Sequence, residues 1–277
     1  RDDHCVRTST LDTRAVNVHR LRSILLAVLL IGAPARCAWG ASARPAVGAR
    51  AIAIGGAFVA VASDASAVYW NPAALASLQR QEVVFTYADR YGLGLNSSYL
   101  AYSLPLRDNH ALGLDWHYQG FGDDELDFRN QYFEAAYGYR NGISWLRPYL
   151  GNAAVGLSAK YATQEADLDT RRVMSASGWG WDLGALVPLP FRSQIGLLVQ
   201  DVFGTALEHD GDLNEEVYDT AYRLGLASRP VEGLTVGAAW DDELRVGTEY
   251  WIGGMLALRV GMHTQLRSEE RRGGKEC

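Results

Sequence analysis

From Glu82 onward, apolar and polar positions alternate with a period of two, the pattern of extended strands whose side chains point to opposite faces. Leu112, Leu114, Trp116 and Tyr118 share one face, while Gly113, Asp115 and His117 share the other. The split recurs with Val155, Leu157, Ala159 and Tyr161 against Gly156, Ser158 and Lys160. It recurs with Trp179, Trp181, Leu183 and Ala185 against Gly180, Asp182 and Gly184. Further on, Leu244, Val246, Thr248 and Tyr250 oppose Arg245, Gly247 and Glu249, and Leu256, Leu258, Val260 and Met262 oppose Ala257, Arg259, Gly261 and His263. Each run alone is a weak signal, but the repetition predicts about eleven strands, the first over 82–90 and the last over 255–265.

A soluble β-sandwich also alternates, so the composition of the two faces matters. Here glycine recurs among the polar positions, at 113, 156, 184, 196, 225, 237, 247 and 261. That suits an inner wall that other backbone approaches closely. Strands with one greasy and one polar side that cross lipid must close into a ring, because an open edge would leave backbone groups unpaired there. The pattern therefore predicts an all-β fold, a transmembrane antiparallel β-barrel, with a soluble all-β fold as the alternative. Arg107-Asp108-Asn109, Pro188-Leu189-Pro190, Arg229–Gly233 and Gly253-Gly254 read as tight turns. Residues 120–127, 165–177 and 205–219 read as longer polar external loops, and Asp241-Asp242-Glu243 as an unusually short one. Single-chain bacterial barrels close with an even number of strands, so the expectation is a partial barrel over 81–266 that continues beyond Gln265.

Ahead of the strands, Gly48–Leu78 is a Gly-rich apolar run containing Asn71-Pro72-Ala73. Pro72 suits the first turn of a helix, and Asn71 can cap the free backbone donors of that turn. Gly55-Gly56, followed by Ala57, Phe58, Val59, Ala60, Val61 and then Asp64, together with the Asn-Pro-Ala box, resembles the N-terminal region of the PorV/PorQ family, relatives of FadL-type outer-membrane barrels. The resemblance covers most of residues 46–264. It implies a short helical hatch over 44–80 inside a barrel of about fourteen strands. It also implies passage or binding of a hydrophobic small molecule, or, as the alternative, docking of secreted proteins or a secretion machine of the type IX kind. Gly55, Gly56, Phe58, Asp64, Tyr69, Trp70, Asn71, Pro72 and Ala73 become the hatch residues, with Phe58, Tyr69 and Trp70 either lining an apolar space or packing the hatch itself.

Composition adds location. Arg20 to Ala43 carry an arginine-bearing start, an apolar run from Ile24 to Ile31 and small residues at 41–43, the layout of a secretory signal peptide over 18–43. Residues 1–17 then read as upstream readthrough. The tail 267–277, without alternation, reads as non-native. The expected location is the bacterial outer membrane, with membrane lipid as partner. Trp and Tyr are frequent, 8 and 14 of 277 residues, as expected where a protein meets lipid headgroups. A net charge of −6 without a basic stripe argues against nucleic-acid binding. Cys5, Cys37 and Cys277 lie outside the hatch and strands, which removes disulfides and thiolate metal sites from the body. Arg36 before Cys37 argues against lipid attachment there.

The polar faces place Asp115, His117, Lys160, Asp182, Arg223, Arg245, Glu249 and Arg259 in the lumen. Mixed charges inside a barrel fit a lattice that holds register and anchors the hatch better than they fit a substrate site. His117 and His263 lack the spacing of a metal site. The acidic run Glu208–Glu216 lacks the glycine and terminal glutamate of a calcium loop. No nucleophile elbow is present, so the expectation is a protein without enzyme activity, cofactor or metal.

Overall fold

The computed structural model describes residues 46–90, 94–107, 109–122, 126–140, 151–168, 171–209 and 216–265. The expected leader, the segment before it, the expected tail and all three cysteines lie outside the described residues.

Two short helices, α1 (Ala49–Ala53) and α2 (Ala67–Trp70), and a 3-10 helix, η1 (Pro72–Ser77), form a plug. Among the described residues thirteen strands follow: β1 (Glu82–Arg90), β2 (Leu95–Pro105), β3 (His110–Gly122), β4 (Leu126–Arg140), β5 (Ala154–Leu168), β6 (Arg171–Leu189), β7 (Ser193–Gln200), β8 (Thr205–His209), β9 (Glu216–Tyr218), β10 (Ala221–Ser228), β11 (Leu234–Trp240), β12 (Glu243–Ile252) and β13 (Leu256–Gln265). β1 to β7 and β10 to β13 pair in series, all antiparallel, and β8 and β9 branch from β6. Among the described residues β1 and β13 are not paired with each other, so the sheet is all-β, antiparallel and open. No helix among them is long and apolar enough to cross a membrane.

The two faces are inverted relative to a protein folded around a greasy core. Along β3, Leu112 and Leu114 are exposed while Gly113, Asp115 and His117 are buried. Trp179, Trp181 and Leu183 of β6 are exposed, whereas Gly180, Asp182 and Gly184 are buried. The convex face is thus apolar and the concave face carries the polar and small residues.

Glycine makes the concave face fit the plug. A Cβ on Gly113 would lie 2.4 Å from the Val68 side chain, on Gly156 2.3 Å from Ala73 N, and on Gly261 2.0 Å from Ile54 C. At Gly138, Gly184, Gly196, Gly225, Gly237 and Gly247 a Cβ would lie between 2.2 and 2.9 Å from plug atoms. Register sets these glycines side by side: Gly138 opposes Gly156, Gly156 opposes Gly184, Gly196 opposes Gly225, and Gly237 and Gly261 both oppose Gly247. The result is a belt from β3 to β13 against which the plug backbone rests. Because one small plug touches strands near both ends of the sheet, the sheet is wrapped around it.

The plug carries its own apolar core, with Ile54, Phe58, Val59, Val68, Tyr69, Trp70 and Leu75 all at most 2% exposed. Burial of each large side chain contributes roughly 1.5–3 kcal/mol, which holds together a segment that has no long helix.

Several connections differ from the sequence expectation. β3 runs to Gly122 and β4 starts at Leu126, while β5 runs to Leu168 and β6 starts at Arg171, so most of the residues assigned to polar loops extend the strands. Polar residues on the convex face there, such as Arg129, Glu165 and Arg172, pair along the sheet and conceal the period of two. The turn placed at 188–190 sits later, at Phe191 and Arg192, which adopt positive φ. Residues 205–209 and 216–218 are not an external loop: they are β8 and β9, with Thr205 and Leu207 fully buried. Burial of this short segment follows from tertiary packing that five residues of sequence do not encode.

Candidate functional site

The site is the junction between plug and concave wall. Asn71 sits at its centre, 0% exposed. Its Oδ1 accepts from Ala73 N at 3.1 Å, capping η1 with Pro72 at the first helical position. Its Nδ2 donates to Val59 O at 3.0 Å within the plug and to Ala185 O at 3.2 Å on β6. One side chain therefore starts a helix, joins two parts of the plug and binds the plug to the wall. Ala73 packs without exposure against Gly156 and Gly184.

Gly55 and Gly56 have φ of 68° and 77°, a conformation that costs side-chain-bearing residues energy. A Cβ on Gly55 would also sit 2.7 Å from Met262 N, and one on Gly56 3.1 Å from Arg245 Nη1. Phe58, Tyr69 and Trp70 pack on one another edge to face, with centroids 5.7 Å apart for Phe58 and Trp70 and 5.2 Å for Tyr69 and Trp70. Trp70 Nε1 donates to Val47 O at 3.1 Å. These aromatics form the interior of the plug.

Ionic ties fasten the plug. Arg50 on α1 meets Glu249 on β12 through two hydrogen bonds, Nε to Oε2 and Nη2 to Oε1, each 2.8 Å. Its Nη1 donates to Asp64 Oδ2 at 3.0 Å and to Ser63 Oγ at 2.8 Å. Burial pulls the Arg50 guanidinium down, but hydrogen bonding and attraction to Glu249 and Asp64 more than offset this and leave it above its ordinary value. Glu249 also accepts from Arg259 Nε at 2.6 Å and Trp251 Nε1 at 3.0 Å. A second cluster joins Arg223 and Arg245 through Asp241, at 3.1 and 3.4 Å, with Arg245 also 2.9 Å from Glu243. Arg223 lies over the Trp70 ring, 5.7 Å from its centroid.

The remaining residues expected in the lumen also lie on the concave face. Tyr99 OH donates to Asp115 Oδ2 at 3.1 Å, and His117 stacks on Tyr132 with centroids 5.9 Å apart. Lys160, 1% exposed, lies 2.7 Å from Asp182 and 2.7 Å from Asp201. Each of the eight is thus at the wall surface facing the plug or beside it. Among the described residues no group of three or more His, Cys, Asp and Glu is placed to hold a metal.

The convex face has one further feature. Tyr102, Leu112, Leu114, Tyr137, Leu157 and Trp181 rim an apolar groove of about 330 Å³ over β2 to β6, floored by small residues such as Gly113 and Ala136.

No family model, curated protein or solved structure matches this chain.

Some participants carried little signal. Arg50 sits in the plug near Asp64, but its principal partner lies 199 positions away. Glu134 was legible, since Tyr132, Glu134, Ala136 and Gly138 alternate with Phe133, Ala135 and Tyr137 on β4. Asp201 was not, because it lies in a break between strands where the period of two stops.

Proposed function

We propose that this chain forms the greater part of an outer-membrane β-barrel whose N-terminal segment is a hatch filling the lumen, and that the protein binds or passes a hydrophobic small molecule. The observation that carries the reading is the inverted wall. Leucine, valine and tryptophan cover the convex face, while Lys160, Asp182 and Glu249 lie buried inside and the glycine belt lies against the plug. A continuous apolar exterior is costly in water and favourable in lipid. Among the described residues the outer edges of β1 and β13 are unpaired, and in lipid such edges are covered.

Two features support an apolar ligand. The groove of about 330 Å³ is lined by apolar side chains and lies in the size range of small-molecule sites. Its floor at Gly113 is thin, because beyond that backbone lie Val68 and Leu75 of the plug. A solute in the groove is thus separated from the hatch by a single layer of backbone. Docking of secreted proteins has no comparable observation among the described residues.

The test uses full-length protein in proteoliposomes with a fluorescent long-chain fatty acid as probe. A disulfide between Val68→Cys and Gly113→Cys, in a background with the native cysteines replaced by serine, fixes the hatch to β3. Uptake present in the reduced form and lost on oxidation supports transport. Uptake equal in both forms removes the hatch from the path, and absence of both membrane fractionation and heat-modifiable migration overturns the barrel.

A further inference from the structure

On the convex face the apolar surface ends along one register row. Trp116, Phe133, Tyr161 and Trp179 stand opposite one another across β3 to β6, and the next row, toward Gly122, is polar, with Tyr118, Gln131, Thr163 and Ser177. Trp116 Nε1 donates to Gln131 Oε1 at 3.2 Å, so its one polar atom turns toward the polar row. From Trp179 the apolar strip of β6 runs through Trp181, Leu183 and Leu189 to the turn at Phe191. The twelve residues from Trp179 to Phe191, at about 3.3 Å each and tilted by about 40° as membrane strands are, rise about 30 Å. That is slightly more than the roughly 25 Å apolar band of a barrel, so Trp179 and Phe191 mark its opposite borders.

The turn at Phe191 is strained. Phe191 and Arg192 adopt φ of 60° and 55°, a region that glycine or asparagine enters readily and other side chains do not. Phe191 is also 92% exposed, so packing inside the protein does not account for its conformation. An aromatic residue held in this way at a surface points to a function there.

The neighbouring turn brings a second arginine. Ser193 pairs with Ser228 in register, Ser193 Oγ donates to Ser228 Oγ at 3.0 Å, and Arg229 N donates to Arg192 O at 3.0 Å. The turn between β6 and β7 is thus joined to the turn between β10 and β11, with Arg192 exposed and Arg229 half-buried. Burial pulls the Arg229 guanidinium below its ordinary value, the cations of Arg50 and Arg192 pull it further, and Glu249 offsets only part of this. Glu249 is itself held by Arg50 and Arg259. Two joined cations that repel each other make a seat for an anion, and guanidinium groups match the oxygens of a phosphate.

The geometry points to Arg192 and Arg229 as a binding site for the phosphate group of a phospholipid whose acyl chains lie along the convex strip that ends at Phe191. The arginines sit where that strip stops, so one molecule meets charge at its head and apolar side chains along its tails. A dissolved acidic peptide would satisfy the arginines alone and leave Phe191 in water. The assignment rests on the barrel reading, which puts lipid against the strip.

The test titrates full-length protein in uncharged detergent micelles with dioleoyl phosphatidylglycerol and counts retained lipid by native mass spectrometry. Phosphatidylglycerol is held at least about tenfold more tightly than dioleoylglycerol, which has the same chains without the phosphate. Arg192→Gln with Arg229→Gln removes that preference. Arg80→Gln with Arg171→Gln, the same loss of charge at exposed positions elsewhere, keeps it. Arg192→Gln alone stands in if the double variant does not fold, and lowers the preference at least about threefold. Inorganic phosphate in excess leaves the lipid in place. The site is overturned if both lipids are held equally, or if the folded double variant, or Arg192→Gln in its stead, keeps the preference of its parent. Displacement by inorganic phosphate overturns it too, since the site would then be one for the free anion. Failure of the barrel reading shows separately, in membrane fractionation and heat-modifiable migration of the unsubstituted protein.

Discussion

Asn71 works because one planar amide offers a donor and an acceptor at once, and the plug uses both. Truncation to alanine strands Val59 O, Ala185 O and Ala73 N in a dry interior, at about 1–3 kcal/mol for a buried unsatisfied group. Asn71→Asp is expected to lose more than Asn71→Ala, since a carboxylate keeps the cap but faces two carbonyl oxygens with no proton to give. Urea midpoints of both variants in micelles check the order, and an aspartate variant as stable as wild type would contradict it. The glycine belt makes an independent statement at the same scale. Gly156→Ala drives a methyl to 2.3 Å from plug backbone that cannot rotate away, so a loss of about 2–3 kcal/mol is expected. Gly253→Ala has nothing within 4 Å and costs only its positive φ, about 1 kcal/mol, so equal losses at 156 and 253 would show that the plug does not rest on the belt. The cap at Asn71-Pro72 and the inner position of these glycines were legible in the sequence, because helix starts and alternating faces are local properties. The bond from Asn71 to Ala185, 114 positions away, is tertiary and left no local trace.

At the scale of elements, the grip of Arg50 on Glu249 is an ionic tie between plug and sheet, and the same guanidinium holds Asp64 within the plug. Arg50 is part-exposed, and Glu249 keeps Arg259 and Trp251 when Arg50 is lost, so each single loss falls below the about 3–5 kcal/mol of a fully buried pair. Arg50→Met and Glu249→Met are each expected to destabilise, and the double variant to recover at least about 0.5 kcal/mol relative to their sum. Additive losses in a double-mutant cycle on unfolding midpoints would show that the tie contributes nothing of its own. Strands could be read wherever one face was greasy and the other polar. They were lost at the ends of β4, β5 and β6, where Asp127, Arg129, Glu165, Asp167 and Arg172 form an ion network on extended backbone. β8 and β9 were lost for a different reason: five and three residues are too few to show a period, and their burial depends on Gly178 and Gly180 of another strand.

For the whole molecule, the arrangement of the two faces decides which solvent the wall is built for, and a single substitution separates the alternatives. Leu157 stands on the convex face of β5, 42% exposed, between inward-facing Gly156 and Ser158. If that face meets water, Leu157→Arg replaces an exposed leucine by a charge and changes stability by no more than about 0.5 kcal/mol, with better solubility. If it meets lipid, the arginine costs roughly 2–4 kcal/mol at mid-depth and less near the interfaces. Folding into vesicles, followed by the shift between unheated and heated forms, reads that difference directly. A loss of folded protein in vesicles for Leu157→Arg and for Trp181→Arg is the expected outcome. Arginine at Val231, in the turn between β10 and β11, serves as the control and is expected to fold as wild type does. Unimpaired folding of both convex-face variants would mean that the greasy side is covered by something other than lipid, and the hatch would then be the plug of a different kind of container.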